Sequence, residues 1–100
     1  MPEKDKRINV LFAAAEAEPF IKVGGLGDVA GALPIAIQKS GPQSVDIRLV
    51  MPFHAAIKEK QLPINRLGSF AINSGLGTSE CSIYTITNDG LTVYFLDSEA

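Results

Sequence analysis

The segment INVLFAA, Ile8 to Ala14, is a continuous apolar run broken only by Asn9. Such a run predicts a strand covered on both faces, as in a parallel sheet with helices above and below. Val29, Leu33, Ala36 and Ile37 then recur at three- and four-residue spacing. That spacing predicts a helix from Asp28 to Ser40, with those four side chains on its buried face and Gly41 as its stop. Pro34 lies inside this helix without an N–H for the carbonyl of Ala30, so loosely wound first turns are expected. VDIRLVM, Val45 to Met51, predicts a second buried strand ended by Pro52. Strand, glycine-rich loop, helix and strand make a βαβ unit with a right-handed crossover.

The second half has a different pattern. Pro52 to Gln61 reads as a short helical or irregular link. Arg66 to Asn73, Ser82 to Thr87 and Thr92 to Asp97 read as strands separated by SGLGTSE and NDG. Connections this short predict antiparallel neighbours. Alternation in IYTIT and TVYFL is partial, which predicts a covered face, yet no segment obviously supplies the cover. A parallel sheet begun by two strands lacks partners to bury it, so residues 1–100 are expected to open a larger domain. No internal repeat or low-complexity segment is visible.

Composition narrows the class. With 46% hydrophobic residues and a formal net charge of -2, the 100-residue chain falls among ordinary globular proteins, and one domain is its ceiling. Its 9 Lys and Arg are scattered and outnumbered by 11 Asp and Glu, so no basic stripe exists for nucleic acid. Cys81 stands alone. A lone cysteine excludes an internal disulfide framework and a cysteine metal site, and it fits a reducing, cytoplasmic compartment. No run approaches the ~18 apolar residues of a membrane span. Lys4, Lys6 and Arg7 ahead of INVLFAAA, with Ala13, Ala15 and Ala17 behind, mimic a secretory leader. Glu3 and Asp5 interrupt the basic stretch and the apolar run is short; a leader would predict processing near Ala15 or Ala17.

The chemistry concentrates in FIKVGGLGDVAGALP, residues 20 to 34. At a helix N-terminus several backbone N–H groups lack intrahelical partners and the dipole adds positive charge, so a phosphate is well placed there. Gly24, Gly25 and Gly27 carry no Cβ to keep an anion away, and they tolerate positive φ where the chain turns. Lys22 adds a full charge, and a charge-assisted contact contributes about 1.5 to 3 kcal/mol. Against this stands a plain reading, a tight turn beside a solvated lysine.

Two sharper motifs fail. The Walker loop wants Gly-Lys-Ser/Thr where this chain has Gly27-Asp28-Val29. GLGDVA satisfies G-x-G-x-x-G/A, but about ten residues separate it from the first strand and the second strand ends in Met-Pro-Phe-His, without the required acid. Around the loop, Glu16 and Glu18 follow the first strand at the carboxyl edge where ligands gather; either could bind a hydroxyl or be a solvated acid. Asp28 reads as the helix N-cap or a first-turn acid. His54 follows the end of the second strand and, alone, reads as structural or solvated. Cys81 reads as packing.

AAAEAEPFIKVGGLGDVAGALP, residues 13 to 34, resembles the N-terminal signature of bacterial glycogen synthases and plastid starch synthases, whose hallmark is Lys-x-Gly-Gly-Leu. INVLF before it, VDIRLVMPFH where that family has a strand ending Leu-Pro-x-Tyr, and the closing VYFLD fall in the same order. His54 departs from the frequent Tyr; the resemblance adds a glucan contact as the alternative reading of His54 and a sugar contact as that of Asp28. The resemblance implies a GT-B fold of two facing Rossmann-like halves, in which ADP-glucose binds between them and glucose passes to the non-reducing end of an α-1,4-glucan. It further implies that residues 1–100 open the acceptor-side half, that Lys22 contacts the phosphate-glucose end of the donor, and that amides of Gly24 and Gly25 approach the diphosphate. Glu16 matches the family's loop glutamate. No cofactor and no metal are implied. The base pocket, further cations and a carboxylate would come from the C-terminal half, so these residues alone are not expected to turn over. A reading from a different class is a module that binds a nucleotide or sugar phosphate without chemistry.

Overall fold

The computed structural model describes residues 7–41 and 43–99; Glu3, Lys4, Asp5 and Lys6, on which the leader reading leans, lie outside them. The elements are β1 (Ile8–Ala13), α1 (Gly25–Ser40), β2 (Val45–Pro52), α2 (Ala55–Lys58), β3 (Asn65–Ser74), β4 (Gly77–Asn88) and β5 (Leu91–Glu99). All strands join one five-stranded sheet in the order β1-β2-β5-β4-β3. β1, β2 and β5 are mutually parallel, while β4 runs antiparallel to both β5 and β3. The expected antiparallel strands are therefore present, and the last of them also enters the parallel part of the sheet.

Both hairpins follow from their turns. Asp89 (φ 51°) and Gly90 (φ 83°) take left-handed backbone between the paired Asn88 and Leu91. Positive φ at both central residues is the two-residue turn whose twist matches the flanking strands. SGLGTSE contributes only Gly75 and Leu76 to its turn, because Ser74 already pairs with Gly77 and the strands run further than the hydropathy suggests.

Register places Ile47, Leu49 and Met51 of β2 and Val93 and Phe95 of β5 on one face, all at most 2% exposed. Ala30 and Pro34 of α1, Ile57 of α2, and Ala17 and Phe20 of the β1–α1 loop close over that face. Phe95 is the centre of the packing: Phe53 stacks on it at 5.2 Å and Phe20 meets it edge-on at 5.2 Å. The cover that the sequence seemed to lack thus comes from the loop, α1 and α2. The opposite face carries Leu11, Val50, Leu67, Ile83, Tyr94 and Leu96 around an open apolar concavity of about 280 Å³.

Three expectations are corrected. β1 is an edge strand in which Ile8 and Leu11 are 64% and 63% exposed, not a strand covered on both faces. An apolar run reports side-chain type and cannot by itself say which face its own chain covers. The buried stripe of α1 is Gly27, Ala30 and Pro34. Val29, Leu33 and Ala36, expected inside, are exposed, and of the four only Ile37 is partly buried. Small residues win the inner face because the helix lies close to backbone there: a Cβ on Gly31 would meet the Glu18 carbonyl oxygen at 2.5 Å. Finally, α1 begins at Gly25 rather than Asp28 and runs unbroken through the buried Pro34 to Ser40. Gly41 does stop it, donating its N–H to the Ile37 carbonyl.

Candidate anion site at the start of α1

The loop Ala14 to Gly24 leaves the sheet at the carboxyl ends of its parallel strands, where Ala14 still donates to the Val50 carbonyl at 3.0 Å. A bridge between Ala17 and Ile21 folds it back, and the Glu18 N–H donates to the Gly27 carbonyl at 3.0 Å. The Glu18–Pro19 peptide is cis. Two side chains from beyond β2 hold the loop from outside. Lys60 Nζ donates to the carbonyls of Pro19 (2.8 Å) and Phe20 (2.6 Å), and His54 Nε2 lies 2.8 Å from the Ala15 carbonyl, an acceptor it meets as a donor. His54, considered above for glucan contact, therefore spends one ring nitrogen on tethering the loop.

The loop delivers Lys22, Val23 and Gly24 to the first turn of α1. Gly24 is the N-cap, in extended conformation and without a side-chain cap. Asp28 is therefore not the N-cap; it sits in the first turn, the other position favourable to an acid near the helix dipole. There Asp28 Oδ1 lies 3.0 Å from Lys22 Nζ, with Glu18 Oε1 at 3.8 Å on the same ammonium. The hydrogen bond that Lys22 donates to Asp28, then the charges of Asp28 and Glu18, hold its ammonium above the ordinary lysine range. Lys22 remains 44% exposed, so its charge is available at the surface.

The amide contacts of Glu16 are what sequence reasoning missed. Its Oε2 accepts the N–H groups of both Val23 and Gly24, the latter at 3.0 Å. These two bonds, Val23 first, hold its carboxyl below the usual carboxylate range, against the nearby charge of Asp28. Glu16 is thus not merely a solvated acid: its Oε2 is seated on the loop amides, while Oε1 takes part in neither bond. Separations of seven and eight residues within an irregular loop carry no periodic signal that could announce such a contact.

The glycines divide by purpose. A Cβ at Gly27 would fall 2.9 Å from Glu16 Oε2 and 3.0 Å from Lys22 Cγ, so this buried glycine makes room for those side chains rather than for an approaching anion. Gly25 faces open space, with nothing within 4 Å of its would-be Cβ, and Gly24 is met only by Glu16 Oε1 at 3.9 Å. None of the three has a positive φ, so their tolerance of left-handed backbone goes unused, since α1 and its extended cap need none. The amides of Gly25 and Leu26 begin the helix with no preceding turn to bond. No group of three His, Cys, Asp or Glu among the described residues is placed to hold a metal ion. Cys81 is a buried free thiol.

An open α/β sheet with a lysine and helix-start amides at the carboxyl edge of its parallel strands defines a Rossmann-like domain of the ligand-binding kind. Residues 9–100 match the starch synthase catalytic domain family, and the chain belongs to that family. It is 38% identical over 93 residues to a glycogen synthase of Clostridium novyi (strain NT), covering 92% of this chain and 19% of that protein. It is 42% identical over 95 residues to a glycogen synthase of Clostridium perfringens (strain 13 / Type A), covering 94% and 19%. In structure it is similar, with a TM-score of 0.77 and 26% identity, to the catalytic domain of starch synthase IV from Arabidopsis thaliana bound to ADP and acarbose, covering 95% of this chain and 19% of that one. The chain spans about a fifth of the length of the relatives it matches. Its fold is thus α/β and Rossmann-like, matching part of a GT-B starch synthase catalytic domain. No helix among the described residues is long and apolar enough to cross a membrane.

Proposed function

We propose that this chain opens the acceptor-side half of a glucosyltransferase that moves glucose from ADP-glucose to the non-reducing end of an α-1,4-glucan. Lys22 beside the first amides of α1, at the carboxyl edge of the parallel strands in a member of this family, is the observation that carries the reading. The ADP and acarbose in the starch synthase IV structure and the glycogen synthase relatives support the substrate class. Lys22 and the amide of Gly25 receive the donor's diphosphate, with Gly24 as the cap beside them. As the bond to glucose breaks, negative charge grows on the departing ADP, and a cation and amides already in place stabilise that charge more than the ground state. Gly24 reaches the phosphate only by sharing or releasing its bond to Glu16, whereas Gly25 faces open space.

Residues 1–100 supply donor contacts and no catalytic residue. The base pocket, further cations and a carboxylate belong to a C-terminal half of the same protein, facing this one across the cleft. Asp28 steers Lys22, and His54 holds the loop whose rim meets the glucan. No cofactor is required. The lone Cys81 supports a cytoplasmic setting, and the acidic balance supports a sugar nucleotide and a neutral glucan as partners rather than nucleic acid.

Lys22→Ala in the full-length protein is the direct test, with glucose transfer from ADP-glucose to glycogen as the assay. Loss of one charge-assisted contact should lower kcat/KM for ADP-glucose roughly 10- to 100-fold. Wild-type kinetics in that variant refute the donor site, and ADP-glucose binding without any transfer by the full-length protein favours the non-catalytic module.

A further inference from the structure

We propose that Glu16 is a positioning residue for donor transfer: its carboxylate stays on the amides of Val23 and Gly24 and thereby fixes where Lys22 and Gly25 meet the donor. This rests on the donor-site reading above. Four observations converge on it.

First, the two bonds from Glu16 Oε2 bracket the backbone immediately after Lys22, at Val23 and Gly24, so they set the course of the chain from the lysine into α1. Second, Glu16 is not a counter-ion for Lys22, whose ammonium is already paired with Asp28 at 3.0 Å and Glu18 at 3.8 Å. The three acids divide the work: Asp28 and Glu18 hold the end of the lysine, Glu16 holds the backbone beneath it. Third, Gly27 is bare at the one place where a Cβ would strike both Glu16 Oε2 (2.9 Å) and the Lys22 stem (3.0 and 3.1 Å). The first turn of α1 is thus shaped to let these two side chains lie against it together. Fourth, the backbone around Glu16 is itself tethered, by His54 on the Ala15 carbonyl and by the Ala17–Ile21 bridge, so the carboxylate is anchored on a held segment.

A carboxylate on these amides also directs the donor. An anion of the donor that took the Val23 and Gly24 N–H groups would have to expel one already held by two charge-assisted bonds. The helix-start amides of Gly25 and Leu26 have no such occupant to displace, and Gly25 has no side chain to obstruct an approach. Glu16 therefore steers the diphosphate one residue along, onto the Gly25 side of the cap.

The test uses four forms of the full-length enzyme: wild type, Glu16→Ala, Lys22→Ala and the double variant, with ADP-glucose and glycogen as substrates. Glu16→Ala should lower kcat/KM for ADP-glucose roughly 10- to 100-fold, the loss that a displacement of about 1 Å of a positioning group produces. KM for glycogen should be unchanged, and the fall in melting temperature from the two lost bonds should be small and the same in both backgrounds. Glu16→Gln, which keeps an acceptor oxygen, should recover part of the loss. In the Lys22→Ala background Glu16→Ala should add little, because its effect runs through the lysine's loop. A purely structural glutamate would give equal losses of donor efficiency in both backgrounds, and that result overturns the proposal, as does Glu16→Ala with wild-type donor kinetics. If Lys22→Ala is itself silent the donor-site reading fails; if Lys22→Ala is impaired while Glu16→Ala is not, only the positioning role fails.

Discussion

Lys22 Nζ lies 3.0 Å from Asp28 Oδ1, so the cation that leads into α1 is held by an acid of the helix's own first turn. Asp28 is the first cause of the raised lysine pKa. A group whose folded-state pKa lies above its unfolded value contributes stability below the unfolded value and loses it as pH rises through the folded one. The Lys22–Asp28 pair therefore contributes at neutral pH and is lost only above the ordinary lysine value of 10.5. Asp28→Asn should move the Lys22 pKa down toward that value, as followed by NMR titration of the side-chain Cε and Nζ signals. An unchanged Lys22 titration would show that the ammonium does not sit on Asp28.

The carboxyl of Glu16 gives the opposite sign. Its folded pKa lies below the ordinary 4.5 because Val23 and Gly24 donate to the ionised form. Its contribution is present above 4.5 and lost as pH falls through the lowered value. The amide proton shifts of Val23 and Gly24 should titrate together with a midpoint below 4.5, and Glu16→Gln should abolish that titration. A midpoint at or above the ordinary value contradicts the two bonds.

Phe95 is 0% exposed and touches rings from the β1–α1 loop and from the segment after β2, so it couples the site loop to the sheet. Phe95→Ala should cost about 3–5 kcal/mol, a large share of the roughly 5–15 kcal/mol that stabilises a typical domain. Chemical denaturation of the protein should show the midpoint falling accordingly. Leu76→Ala at the fully exposed tip of the β3–β4 hairpin should stay within about 0.5 kcal/mol of wild type.

Much of this architecture is legible along the chain, because each strand announces itself by apolar runs and each turn by its residues. Pro52 does end β2, and Asp89-Gly90 does turn β4 into β5. What periodicity cannot carry is which apolar side chains meet. Val29 and Leu33 follow helical spacing as well as any buried pair, yet they face outward, since α1 is drawn in by Gly27, Ala30 and Pro34, whose small size lets backbone approach backbone. The parallel pairing of β5 with β2 spans some forty residues and leaves no local mark. In the site, Lys22 and the glycines stand out by type and spacing, whereas Glu16 acts through two backbone amides, contacts that no periodicity announces.

Two glycines of α1 separate packing from ligand access. At Gly31 an added methyl group would lie 2.5 Å from the Glu18 carbonyl oxygen and 2.9 Å from its nitrogen, with backbone on the other side that cannot swing away. Gly31→Ala should push the helix off the loop and destabilise the protein by about 1–3 kcal/mol, the usual cost of overpacking. At Gly25 the same change meets nothing within 4 Å, and the residue is already helical. Gly25→Ala should leave stability unchanged or raise it by about 0.4–1 kcal/mol through the unfolded chain. In the full-length enzyme, however, the new methyl group would stand where the donor's diphosphate is proposed to approach, so kcat/KM for ADP-glucose should fall although the fold is intact. Thermal denaturation and donor kinetics on the two variants give opposite patterns. A Gly25→Ala enzyme with full donor efficiency would remove the open face of the helix start from the donor site.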